Sequence, residues 1–144
     1  KEVLDTELGK HLTMFAGVID FSERKLTYSV GAHFPMPVLT NDGVSRYLDG
    51  RGPPVGLFDE PHFSTFEVEL EPGFSLILCS DGILEVIHAK SLAQKETTLL
   101  ETIQMSDHSI EALEVAFGVN WINELPDDVA ILLINDMQSS GKAV

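Results

Sequence analysis

The sequence has a single cysteine, Cys79, so no disulfide forms within the chain, and a reducing, cytoplasmic location is expected. Positive charge is scarce: 9 Lys and Arg stand against 23 Asp and Glu, a net charge of −14 with histidine neutral. A surface of that sign repels phosphate backbones and anionic headgroups, which argues against nucleic acid and membrane surfaces as partners. Long apolar runs are missing as well. VAILLI at 129–134 is among the longest and falls far short of a bilayer span. The opening KEVLDTELGK lacks the apolar stretch of a secretory signal. No Gly-x-Ser-x-Gly, Walker A or Gly-x-Gly-x-x-Gly pattern occurs, so nucleophile-elbow, P-loop and dinucleotide chemistries have no support. The histidines (His11, His33, His62, His88, His108) show no zinc spacing with one another or with Cys79. Six residues after Cys79 stands Glu85, where a thiolate-bearing phosphate loop needs an arginine.

What is present suits one ordinary domain. The chain has 144 residues, 44% hydrophobic and 22% charged, enough apolar material for a core. One domain is expected over 1–136, with a frayed tail at 137–144. A start at Lys1 rather than Met leads us to expect a piece of a longer protein.

Apolar periodicity lays out the elements. MFAGVID at 14–20 and the alternating Leu26, Tyr28 and Val30 predict two strands joined by the polar link 21–24. A short strand is expected at 37–40, and the glycine- and proline-rich stretch 41–56 reads as one long connection. Ser64, Phe66, Val68 and Leu70 mark one face of a strand; Pro72-Gly73 is expected to fold it back as a hairpin onto the buried strand FSLILC at 74–79. Helices follow at 91–105 and after the N-cap Ser109. There Ile110, Leu113, Phe117 and Trp121 form a stripe expected to be core. A last apolar strand is expected at 129–134. Strands, then helices, then one strand predict an α+β fold with antiparallel β-sheets flanked by helices. Charge is uneven along this layout. Between Glu96 and Gly141 there is no Lys or Arg but nine acidic residues, which make either a solvated acidic face or a surface for a cation or basic partner.

The chemistry lies at strand ends. Asp81 closes one buried strand, and Asp127 and Asp128 open another. If the two strands are antiparallel neighbours, these acids meet at one sheet edge. Clustered carboxylates repel, and a hard cation such as Mg²⁺ or Mn²⁺ relieves the repulsion while keeping several waters. Gly82 lets the backbone pass close to such an ion. The plain alternative is that Asp-Gly is a turn and Pro-Asp-Asp a loop, with no ion involved.

Four segments in order resemble the later part of the metal-dependent protein phosphatase family (PPM, type 2C), in particular its bacterial branch typified by stage II sporulation protein E. They are MFAGVIDFSERKLTYSVGAHFPMPVL at 14–39, GPPVGLF at 52–58, LEPGFSLILCSDGILEV at 70–86 and PDDVAILLI at 126–134. The resemblance implies an α-β-β-α sandwich with two Mg²⁺ or Mn²⁺ ions at one edge, and a metal-activated water that attacks phosphoserine or phosphothreonine. By position, Asp81 and Asp127 match the family's late metal ligands, and Asp128 matches a weaker one. Gly82, Glu85 and His33 belong to the motifs in supporting roles. The sequence also departs from the pattern. The family's early Asp-x-x-Gly-His-Gly is not among these residues, so the fold is expected to lack its opening strands and the fragment to be inactive alone. Ala-Gly-His is Gly31-Ala32-His33 here, and Ala130 replaces a hydroxyl residue.

Two functions follow. In the first, the parent protein is a signalling phosphatase acting on a phosphorylated anti-sigma-factor antagonist or similar regulatory protein. In the second, catalysis has decayed and the domain is a docking module for a sigma factor or its regulator, carried by a response regulator. Either way the resemblance implies an N-terminal receiver or sensor domain in the parent chain. Unpaired sheet edges also raise self-association as a further expectation.

Overall fold

In the computed structural model the described residues are 11–121 and 127–137. In chain order they form β1 (Met14–Asp20), β2 (Lys25–Gly31), β3 (Val38–Asn41), β4 (Val44–Tyr47), β5 (Thr65–Glu69), β6 (Ser75–Cys79), α1 (Gly82–Val86), α2 (Leu92–Met105), α3 (Ile110–Phe117) and β7 (Ile131–Asn135). The fold is α+β with two antiparallel sheets, ordered β1-β2-β5 and β4-β3-β6-β7. Pro126 and the tail from 138 onward, both named above, lie outside the described residues. The chain divides into two compact units, Lys1–Phe34 with Asp49–Leu70, and Pro35–Leu48 with Glu71–Val144.

The first unit holds the three-stranded sheet. Leu26, Tyr28 and Val30 are buried on one face of β2, as their alternation predicts. The Tyr28 ring stacks between Phe15 of β1 (centroids 5.2 Å apart) and Phe66 of β5 (5.5 Å), so one aromatic column crosses all three strands. Asp20 organises the β1–β2 turn, its Oδ1 accepting the N–H groups of Ser22 (2.8 Å) and Glu23 (2.9 Å).

In the second unit β6 is an inner strand, paired with β3 on one side and β7 on the other. Ile77 and Cys79 join Ile83, Leu84, Leu99, Ile103, Leu113 and Phe117 in one buried cluster. Burial pushes the Cys79 thiol up to about 12, because the interior disfavours the thiolate. Serine caps start both longer helices: Ser91 Oγ accepts from Gln94 N–H and Ser109 Oγ from Ala112 N–H.

Three expectations fail here. The stretch 41–56 is not one connection. Asp42 and Gly43, at φ 47° and 73°, form a tight turn that returns the chain as β4. Gln104 of α2 then fixes the turn, accepting from Ser45 N–H (2.7 Å) and donating to the Gly43 carbonyl (2.9 Å). β5 and β6 are not a hairpin either, since β5 pairs with β2 in the other sheet. Asn41 Oδ1 takes the Glu71 N–H (3.2 Å) and Asp136 Oδ2 the Gly73 N–H (3.0 Å), and these contacts draw the Pro72-Gly73 turn into the second unit instead of folding it back. Trp121 is not core: it is 78% exposed. α3 stops at Phe117 because Gly118 adopts the left-handed conformation (φ 70°), and the 3₁₀ turn Val119–Trp121 breaks the stripe.

Candidate metal centre

β6 and β7 are antiparallel neighbours with Cys79 opposite Ile131. This is the pairing on which the convergence of Asp81 with Asp127 and Asp128 depends. Beyond that pair the ladder continues through Ser80. Its N–H donates to the Ala130 carbonyl (2.9 Å), its hydroxyl donates to the Asp128 carbonyl (3.0 Å), and the same hydroxyl accepts the Ala130 N–H (2.8 Å). One serine therefore ties the end of one strand to the start of the other. Sequence reasoning passed over Ser80. The available signal was a hydroxyl residue between a buried strand and Asp-Gly, the place where a side chain can continue a ladder that the backbone is leaving.

Asp81 follows at the start of α1, in helical conformation (φ −61°, ψ −26°). Its backbone carbonyl accepts the Leu84 N–H (2.9 Å), while its exposed carboxylate makes no capping bond. Gly82 lies against the opposite segment. A Cβ built there would sit 2.3 Å from the Asp128 carbonyl oxygen and 3.5 Å from the Asp127 carbonyl carbon. Only a residue without a side chain permits this approach. Asp127 and Asp128 are both exposed, and Asp127 Oδ1 accepts the Asp128 N–H (2.8 Å). Glu85, also exposed, lies one helical turn beyond Asp81.

The backbone segments Asp81-Gly82 and Asp127-Asp128 thus lie side by side at one end of the β6–β7 pair. His33 belongs to the other compact unit. It follows Ala32, which holds a left-handed φ of 51°, and its ring centroid is 6.3 Å from that of Phe15. Among the described residues, no three His, Cys, Asp or Glu side chains form a ready cation cage. The donors at the corner are exposed carboxylates and a carbonyl, all hard oxygens. Such donors are of the type that Mg²⁺ and Mn²⁺ take, but the described residues do not assemble them into a site. Ala130 contributes its backbone to Ser80 and no hydroxyl of its own.

Solved structures share this architecture. The RsbU and RsbW domains of Rv1364c from Mycobacterium tuberculosis superpose with a TM-score of 0.67 at 22% identity, covering 84% of this chain and 35% of that one. The phosphatase domain of the cell-fate determinant SpoIIE from Bacillus subtilis gives 0.66 at 12% identity, over 98% of this chain and 73% of that one. A manganese-presoaked crystal of the same domain gives 0.59 at 17% identity, over 85% of this chain and 56% of that one. At these identities the likeness establishes the fold, that of PP2C-type phosphatase domains. The family follows from the sequence: the stage II sporulation protein E (SpoIIE) family model matches residues 1–135, and the chain belongs to that family. Protein IcfG of Synechocystis sp. is 32% identical over 79 residues, covering 55% of this chain. The chain spans 12% of the length of that relative. No helix among the described residues is long and apolar enough to cross a membrane.

Proposed function

We propose that this chain forms part of a metal-dependent serine/threonine phosphatase domain in a bacterial signalling protein, with Asp81 and Asp127 as Mg²⁺ or Mn²⁺ ligands and Asp128 as a weaker one. The observation that carries this reading is the contact of Gly82 with the Asp128 carbonyl, which sets two acidic segments from different strands side by side. Family membership and the manganese-presoaked relative support it. When bound, the ion would supply an activated water for attack on phosphorus. The protein's own part is geometric: Ser80 holds the Asp128 carbonyl and the Ala130 N–H, and Gly82 keeps the two segments at backbone contact. Glu85 and His33 are assigned supporting roles from the family's motifs. The expected substrate is a phosphoserine or phosphothreonine on a small regulatory protein, such as an anti-sigma-factor antagonist, and an N-terminal receiver or sensor domain would control the activity.

The test is phosphate release from a phosphoserine peptide by the full-length protein with Mn²⁺ or Mg²⁺. Activity that Asp81→Asn abolishes supports the reading. Absence of activity with both metals defeats it.

A second reading has its own observations: Ala130 lacks the family's hydroxyl, and the described residues form no three-ligand cage. In that case the domain is a docking module for a sigma factor or its regulator. Partner binding unchanged by Asp81→Asn, together with no hydrolysis, is its expected signature.

A further inference from the structure

α2 and α3 pack on each other and leave a groove of about 530 Å³ that includes none of Asp81, Asp127 and Asp128. Met105, the last residue of α2, lines it together with Ala112, Val115 and Ala116 of α3. Met105 is 86% exposed and Val115 59%. Positions 112, 115 and 116 are three and four apart, so they share one helix face. A flexible thioether and a branched side chain over small alanines make an adaptable apolar surface of the sort that marks an interaction site.

The charged residue in the groove's lining, Asp107, is acidic, and so are Glu101 and Glu111, each one helical turn from a lining residue. Hydrogen bonds from the Ser109 hydroxyl and N–H hold the Asp107 carboxyl below the usual carboxylate range. Glu101 precedes Met105 by one helical turn and Glu111 precedes Val115 by one, and both carboxylates are exposed. No Lys or Arg lies between Glu96 and Gly141 to offset them. A second copy of this chain would bring another surface of net charge −14, so self-pairing here is opposed by repulsion.

We propose that the groove docks a cationic amphipathic helix of a partner protein, its apolar side against Met105, Ala112 and Val115 and its Lys or Arg side chains against Glu101, Asp107 and Glu111. This mode of recognition places an apolar helix face in a groove and uses the charged rim for selectivity. It is independent of whether the Asp81 corner hydrolyses phosphate.

The test is fluorescence anisotropy of the full-length protein with two labelled amphipathic peptides of the same Leu pattern, one with Lys on its polar face and one with Glu. The Lys peptide should bind saturably and at least about tenfold tighter than the Glu peptide. Val115→Asp should weaken Lys-peptide binding by roughly tenfold although it adds a negative charge. Unchanged or tighter binding in that variant overturns the proposal, because it shows attraction to overall charge alone. Met105→Asp, at a more exposed position, provides the same comparison if Val115→Asp loses helical signal by circular dichroism. A dimer seen by sedimentation in the wild type and lost in Met105→Asp would make a second copy the occupant and also overturn it.

Discussion

Each compact unit contains a glycine pressed against a backbone carbonyl of a neighbouring segment, and the two sites are built differently. In the first unit a Cβ on Gly52 would lie 1.7 Å from the Val30 oxygen; in the second, a Cβ on Gly82 would lie 2.3 Å from the Asp128 oxygen. Around Gly52 the adjoining turn is strained, since Ala32 donates to the Gly52 carbonyl (3.0 Å) from a left-handed φ of 51°. Around Gly82 the strain is absent and a hydroxyl clamps the chain instead. Close approach can therefore be held in place either by a backbone hydrogen bond from a residue in an unfavourable conformation or by a side-chain hydroxyl. In this chain the hydroxyl-clamped version is the one beside the acidic residues.

Substitutions can break this comparison. The largest effect is expected at Gly52→Ala, where the new methyl overlaps a carbonyl that belongs to β2: roughly 3–4 kcal/mol of stability lost, read from urea unfolding. Gly82→Ala has slightly more room and should cost roughly 2–3 kcal/mol, with Mn²⁺ affinity falling alongside because Asp128 is pushed from Asp81. If Gly82→Ala unfolds the protein more than Gly52→Ala does, the ranking by overlap is wrong.

Ser80→Ala should cost about 1–3 kcal/mol, since the Ala130 N–H and the Asp128 carbonyl lose their shared partner. Ser80→Thr should recover most of it, and faster hydrogen exchange at the Ala130 amide should accompany the Ala variant alone. Ala32→Gly runs the other way. Glycine accepts a positive φ freely, so a gain of about 1 kcal/mol in thermal or urea unfolding is expected. No gain would mean that the first unit's turn is not strained.

The last effect is absent at neutral pH. Burial raises the Cys79 thiol from its ordinary 9.0 to about 12, so the unfolded chain loses that proton first. Stability is full below 9.0 and declines as pH rises from there towards about 12. Tyr47 is also raised, chiefly by burial, and adds to the decline. Cys79→Ala should flatten the alkaline limb of a pH–stability curve without removing it.

Much of this arrangement was legible in the residue pattern because it depends on burial. The period-2 run Leu26-Tyr28-Val30, the apolar FSLILC and the serine caps each state a local preference that the fold satisfies. The approach of the Asp81-Gly82 segment to the Asp127-Asp128 segment was accessible because two apolar strands with acidic ends have few ways to pair. What stayed hidden depended on other signals. β4 was lost in a stretch judged by glycine and proline content, although Asp42-Gly43 is a hairpin turn in its own right. The separation of β5 from β6 is decided by Asn41 and Asp136, remote side chains that capture the Pro72-Gly73 turn. Trp121 followed helical periodicity past a glycine that ends the helix. Ser80 acts through one hydroxyl, and hydroxyl geometry has no periodicity to read.

The buried position of the lone thiol, Cys79, has a practical consequence. A thiol reagent reaches it only when β6 parts from its neighbours, so the modification rate at mild pH clocks the opening of the second unit and leaves the first unseen. Added Mn²⁺ that slows this clock would report an ion bridging the ends of β6 and β7 without any substrate being turned over.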